Sequence, residues 1–356
     1  MDLLVGWTSG GDQFLLKFGT FLPVKYDYKQ ISEELISKAG IPRGEIFDYE
    51  YSPYKAIFER FFQFCQQNLT ECSQDYNIQP AKLYYREAYG VNARAGVQNG
   101  YYIIGVNKET IARLYDLFYN RNNIFEEDSD LLPYAGLNQS PDTPLGILMF
   151  QTACLFTYYH EHGHLIQKSP QLTFGLNEHY KELKEEEYSQ EKHVLEFDAD
   201  LGGAQLICFH LIDYWKKQQE AFRTEESFQR LLSVGAASIF SYFMLLSTTR
   251  QPIYYKKAEH PHPVVRISYI MDCFIKVAQI NLPEGVNIKA NLALTEGFKI
   301  ADKFFRSVFA LNIVEGFAAV YETEAADIER YVTELIALSK ANPNLVRHKI
   351  AFPKKE

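Results

Sequence analysis

At 356 residues, with 47% hydrophobic and 15% aromatic side chains, the chain carries enough apolar material for one large core or two smaller ones, which excludes an intrinsically disordered protein. A formal net charge of -9 at pH 7 gives no attraction for phosphate backbones, so nucleic acid is not an expected partner. The five cysteines contain no C-x-x-C pair and read as reduced thiols, and MDLLVGWTSGGDQFLLKFG has no basic leader, so a cytoplasmic protein is expected.

In chain order, residues 30–40 and 53–72 show helical apolar spacing, the second in YKAIFERFFQFCQQ. Between Lys82 and Asn107 the period changes to a Tyr-, Val- and Ile-rich run broken by Asn99-Gly100, a hairpin-turn signal. A helix is predicted over 108–119. The polar stretch NRNNIFEEDSDLLPYAGLNQSPDTP then reads as a loop. It is the best candidate boundary between an N-terminal α+β region, 1–135, and a helical region, 136–356, unless the two form one continuous domain. Further helices are predicted over 143–168, 185–220, 226–247, 263–280, 293–320 and 323–340. The expected fold class is mainly α with a small β-sheet (α+β).

Residues 231–249, LLSVGAASIFSYFMLLSTT, are long enough to span a bilayer. Four serines, one glycine and two alanines dilute the apolar signal, and no Lys/Arg cluster marks a cytoplasmic side. A buried helix is the favoured reading; a membrane segment, with an inner-membrane location, is the alternative.

The chemistry concentrates in FTYYHEHGHLIQK, residues 156–168, where His160-Glu161-His162-Gly163-His164 satisfies H-E-x-x-H. Helical residues four apart differ by about 40° in direction, so His160 and His164 can reach one ion while His162 points roughly opposite. Glu161 lies beside them, able to accept a proton from an activated water. So short a pattern also arises by chance, and it needs a third ligand. KHVLEFDADLGGAQLI offers Glu196 as that ligand and Asp200, four residues on, as the acceptor for the spare N–H of a ligand histidine. Ala199 is small enough to let two helices approach closely. Asp198 is expected to point away into solvent.

The H-E-x-x-H of HEHGH with the E-x-x-A-D of EFDAD resembles the gluzincin metallopeptidases of the HtpX and CAAX prenyl protease type 1 group. VNARAGVQNGYYIIGV is similar to that group's N-A-x-A segment, and HPHPVVRI fits its H-P-x-x-x-x-R-I element, with His260, Pro261, Arg266 and Ile267 on the matching positions. The layout also resembles the phage-exclusion peptidase Lit and its relatives. The resemblance spans roughly residues 82–275 and departs from the group where Val97-Gln98-Asn99-Gly100 replaces Pro-Gly-Gly. It implies a zincin-like fold with an active-site helix and an edge strand, a Zn2+ cofactor, and an endopeptidase acting on a protein or peptide. It also implies that the substrate lies extended along the strand containing Asn92, Ala93 and Ala95.

Each functional residue has a plainer reading. His160 and His164 can be an exposed pair, Glu196 and Asp200 a charged helix face, and HPHP a helix-entry turn with Arg266 paired to an acid. His162, His179, His193 and His210 are read as structural or surface residues. On the peptidase reading Glu161 is the general base, and the donors to a developing oxyanion are His260, Arg266, then Tyr254 or Tyr255. A catalytically silent module that binds a partner is the second hypothesis. KELKEEEYSQEK, residues 181–192, is either a mobile lid or, slightly favoured, the start of the next helix.

Overall fold

The computed structural model describes residues 25–139, 143–170, 188–246, 252–282, 287–309, 316–342 and 345. Their order is α1 (Tyr28–Glu34), α2 (Lys55–Asp75), β1 (Ala81–Arg86), β2 (Ala93–Gln98), β3 (Tyr101–Asn107), α3 (Lys108–Phe118), α4 (Ile124–Glu127) and α5 (Leu132–Ala135). There follow α6 (Leu145–Gln167), α7 (Gln190–Lys216), α8 (Glu225–Leu246), α9 (Pro263–Asn281), α10 (Ala290–Phe309) and α11 (Phe317–Ala341). The protein is mainly helical with one three-stranded sheet, an α+β arrangement.

Sheet order is β1-β3-β2, with β1 parallel to β3 in the register Ala81↔Tyr102 to Arg86↔Asn107. The Asn99-Gly100 signal becomes the β2–β3 hairpin, paired from Ala93↔Val106 to Gln98↔Tyr101. Asn99 and Gly100 both have positive φ, 48° and 78°, as a two-residue turn of this hand requires. β2 is therefore a sheet edge, and α6 packs against both β2 and β3.

α6 is apolar nearly all round, and a helix of that kind is buried all round. Of its residues, Leu145 to Gly163 are almost all buried; Gln151, Thr152 and Thr157 are polar side chains along it, and its histidines and glutamate are confined to the C-terminal turns from His160 on. Among the described residues, α8 is the one helix long and apolar enough to cross a membrane, and 83% of its apolar window is buried inside the protein. It packs against α6, α7, α9 and α10, and a Cβ on Gly297 of α10 would lie 3.1 Å from Ala236 Cβ and 3.2 Å from Ser233 O. The buried apolar residues run as one cluster from Tyr28 to Leu345. All five cysteines are buried free thiols.

Several local expectations are corrected. The stretch read as a polar loop forms α4 and α5 and buries Ile124, Phe125, Leu131, Tyr134 and Leu137. Its charged residues mask an apolar set too short and irregular to register as a period. The helix expected over 30–40 is α-helical to Glu34, closes with a π turn over Leu35–Ala39 and ends at Gly40 with φ 76°. Residues 317–320 belong to the last helix and not to the one before it, because Gly316 sits at φ 88°, outside helical geometry. α7 begins at Gln190 under a Ser189 cap, so residues 188 and 189 do not extend it; residues 181–187 and His179 lie outside the described residues.

Candidate metal centre

His160 and His164 stand on the last two turns of α6, one turn apart, and their imidazoles converge: the two Nε2 atoms are 3.1 Å from each other. Glu196, on the second turn of α7, closes the group with Oε2 3.5 Å from His160 Nε2 and Oε1 3.2 Å from His164 Nε2. One ligand atom from each of the three residues lies within 4.8 Å of the others. Two imidazole nitrogens on one tetrahedral ion, each at about 2.05 Å, would be about 3.3 Å apart, so this donor set fits a divalent cation with little movement.

The group forms because α6 and α7 cross closely at Gly163 and Ala199. Gly203, one turn further along α7, also lies near α6: its Cβ would stand 3.3 Å from the Phe156 ring and 3.5 Å from the His160 nitrogen. Both ligand imidazoles are then held from behind. His160 Nδ1 lies 2.8 Å from Asp200 Oδ1. His164 Nδ1 lies 2.8 Å from Gln167 Oε1, and the Gln167 amide donates to Leu195 O at 2.9 Å and to Asp198 Oδ2 at 3.0 Å. Because the Gln167 amide spends its N–H groups on acceptors, its oxygen is left to face the histidine. Nδ1 of His164 is thereby the donor, and Nε2 is free to ligate.

Asp200 is fully buried and is the most heavily used carboxylate in the centre. It accepts from Arg266 Nε at 2.8 Å, Arg266 Nη2 at 2.7 Å and the Tyr269 hydroxyl at 2.5 Å. Arg266 also stacks on Phe243, 4.2 Å from the ring centroid, and its Nη2 is 3.4 Å from Glu196 Oε2.

The charges follow from these contacts. Burial disfavours the ionised forms of Glu196 and Asp200, yet both stay below the usual carboxylate range: His260, His164 and His160 hold Glu196 down, and Arg266 with His160 holds Asp200 down. Burial would lower the pKa of His164, but the Glu196 and Glu161 carboxylates push it up to about 9. Glu161 is raised, because its burial outweighs the neighbouring imidazoles.

Of the oxyanion-donor candidates, His260 is half exposed with Nε2 3.4 Å from Glu196 Oε1, at the open side of the group. Arg266 is buried and directs Nε and Nη2 at Asp200. The Tyr254 ring lies edge-on to His262, and Tyr255 sends its hydroxyl to Glu324 of α11 at 3.1 Å. Asn92, Ala93 and Ala95 lie at and within β2 beside α6; the Asn92 backbone N–H donates to Thr110 Oγ1 at 2.9 Å. His162 is buried and stacked on Tyr158, His210 meets the Tyr159 hydroxyl at 3.0 Å, and His193 is bonded away from the ion-binding group.

Asp198 is a correction. It is 3% exposed, not solvated, since Gln167 reaches across the helix crossing to it. Gln167 and Tyr269 were missed in the sequence. Both stand three residues beyond a singled-out side chain, His164 and Arg266, a spacing that places them on the same helix face.

Set against known proteins, the chain matches no family model, no curated protein and no solved structure.

Proposed function

We propose that the protein is a zinc-dependent endopeptidase with a zincin-like arrangement of active-site helix and edge strand. The observation that carries this reading is the convergence of His160, His164 and Glu196 with Glu161 buried beside them on α6. Two imidazoles and one carboxylate, with a fourth position open, are the ligand pattern of catalytic zinc. A zinc ion held there supplies a Lewis acid that acidifies a water molecule and polarises a scissile carbonyl.

The chain's own residues do the rest. Glu161 accepts the water proton on its carboxylate and delivers it to the departing amine; its raised pKa brings it closer to the range where both transfers are efficient. His260, on the exposed side of Glu196, donates to the oxygen that gains charge. Asp200 and Gln167 hold the ligand imidazoles by their Nδ1 atoms. A peptide laid along the β2 edge would pair by its backbone, a mode that selects extended, unfolded segments over a particular sequence.

The test combines metal content with cleavage of a fluorescently labelled unfolded protein. Wild type and Glu161→Gln should each hold about one zinc per chain, with cleavage lowered about 10²- to 10⁴-fold in the variant. Glu196→Ala should lose the metal. Full zinc retention in Glu196→Ala, or cleavage indifferent to Glu161→Gln, sinks the reading; a chain that keeps zinc and cleaves nothing is a binding module.

A further inference from the structure

The segment that delivers His260 to the centre, residues 252–262, contains no helix or strand, so its position depends on side-chain contacts from its neighbours. Those contacts come from two places. On α7, Lys192 pairs with Glu259, and His193 reaches the Ala258 carbonyl through Nε2 at 2.7 Å. On α11, Glu324 accepts from the Tyr255 hydroxyl, Glu334 pairs with Lys256 at 2.6 Å, and the Tyr331 ring packs 5.6 Å from that of Tyr255. Glu324, Tyr331 and Glu334 are spaced by seven and three residues, so a single face of the C-terminal helix bears on the segment.

His193 joins the two. It is fully buried, and its second nitrogen, Nδ1, lies 2.7 Å from the Tyr331 hydroxyl. A carbonyl oxygen can only accept, so Nε2 carries the proton and donates to Ala258 O. The neutral ring then accepts at Nδ1 from the Tyr331 O–H. Tyr331, His193 and Ala258 form a one-way chain of hydrogen bonds that ends two residues before His260. Three residues along the same helix from His193 stands Glu196, which His260 faces at 3.4 Å.

Building on the peptidase reading, we propose that His193 and Tyr331 form a latch that positions His260 against Glu196, so that α11 is a working part of the active site although it supplies no ligand. Both are positioning residues: neither touches the ion-binding group, and both act through His260. Loss of the Tyr331 hydroxyl frees the Ala258–His260 stretch without emptying the core, because the ring remains.

Two measurements on the full zinc-loaded chain test this, one of them independent of catalysis. Amide hydrogen exchange in Tyr331→Phe should accelerate at residues 256–262 and stay unchanged in α6, with zinc content equal to wild type. For cleavage of a labelled unfolded protein, Tyr331→Phe should lower kcat on the order of 10- to 100-fold at constant KM, since a displaced donor is lost from the transition state and not from substrate binding. Added to His260→Ala, Tyr331→Phe should cost nothing further. Unchanged exchange at 256–262, a loss confined to KM, or losses that multiply in the double variant overturn the latch. If wild type cleaves nothing, the peptidase reading falls by itself and exchange alone decides: acceleration at 256–262 upholds the latch, and its absence overturns it.

Discussion

Gly163 and Ala199 touch where α6 crosses α7: a Cβ built on Gly163 would lie 3.1 Å from Ala199 Cα and 3.2 Å from Ala199 Cβ. The contact brings Glu196 within reach of two imidazoles on the other helix. Replacing glycine by alanine in an exposed helix gains about 1 kcal/mol. Here Gly163→Ala should gain none of it, and Gly163→Val should destabilise by about 1–3 kcal/mol because the neighbour is backbone and cannot rotate aside. The wider crossing should also weaken zinc binding. Urea unfolding and chelator competition measure the two effects, and a Gly163→Val chain equal to wild type in both would show that the crossing does not set the site.

Gln167 should matter to the metal without contacting it. Gln167→Met keeps the length of the side chain but removes the acceptor for His164 Nδ1 and the donor to Leu195 and Asp198. Zinc affinity should fall about 10- to 100-fold, read by competition with a chromophoric chelator. Equal affinity would leave Gln167 as a tie between helices only.

Asp200 serves stability as well as the site. Asp200→Ala removes both hydrogen bonds that Asp200 accepts from the buried Arg266, leaving it only the longer Glu196 ion pair, and should cost about 3–5 kcal/mol of folding free energy, whereas Tyr269→Phe, which removes one of several donors, should cost about 0.5–1.5 kcal/mol. The carboxyl titrates below the ordinary aspartate value of about 3.9 when folded. Its contribution is thus complete above that pH and is lost as pH falls through the folded pKa. Denaturant midpoints measured from pH 7 downward check both claims; an Asp200→Ala chain as stable as wild type would falsify the assignment.

The hairpin that carries β2 depends on Gly100, at φ 78°. Gly100→Val forces a β-branched residue into left-handed geometry at a cost of about 1–2 kcal/mol. If the substrate lies along β2, the variant should raise KM for an unfolded protein substrate while zinc content stays at wild-type level. An unchanged KM with measurable loss of stability would place the peptide elsewhere.

Much of this was written locally. The apolar period announced α2, α6, α8 and α9 within a few residues but not the break between α10 and α11, Asn99-Gly100 announced the β2–β3 turn, and the four-residue spacings put His160 with His164 and Glu196 with Asp200. Each of these rests on helix or turn geometry that a short stretch of chain dictates by itself. The folded chain decided the rest. That Asp198 is buried by Gln167, that Arg266 spends its donors on Asp200, that α8 lies inside the protein and that His193 is shared between α11 and the His260 segment all follow from which faces meet across crossings between residues far apart in sequence. Spacing fixes the direction of a side chain relative to its own helix; what it meets there is fixed by how closely, and in what register, another helix packs against it.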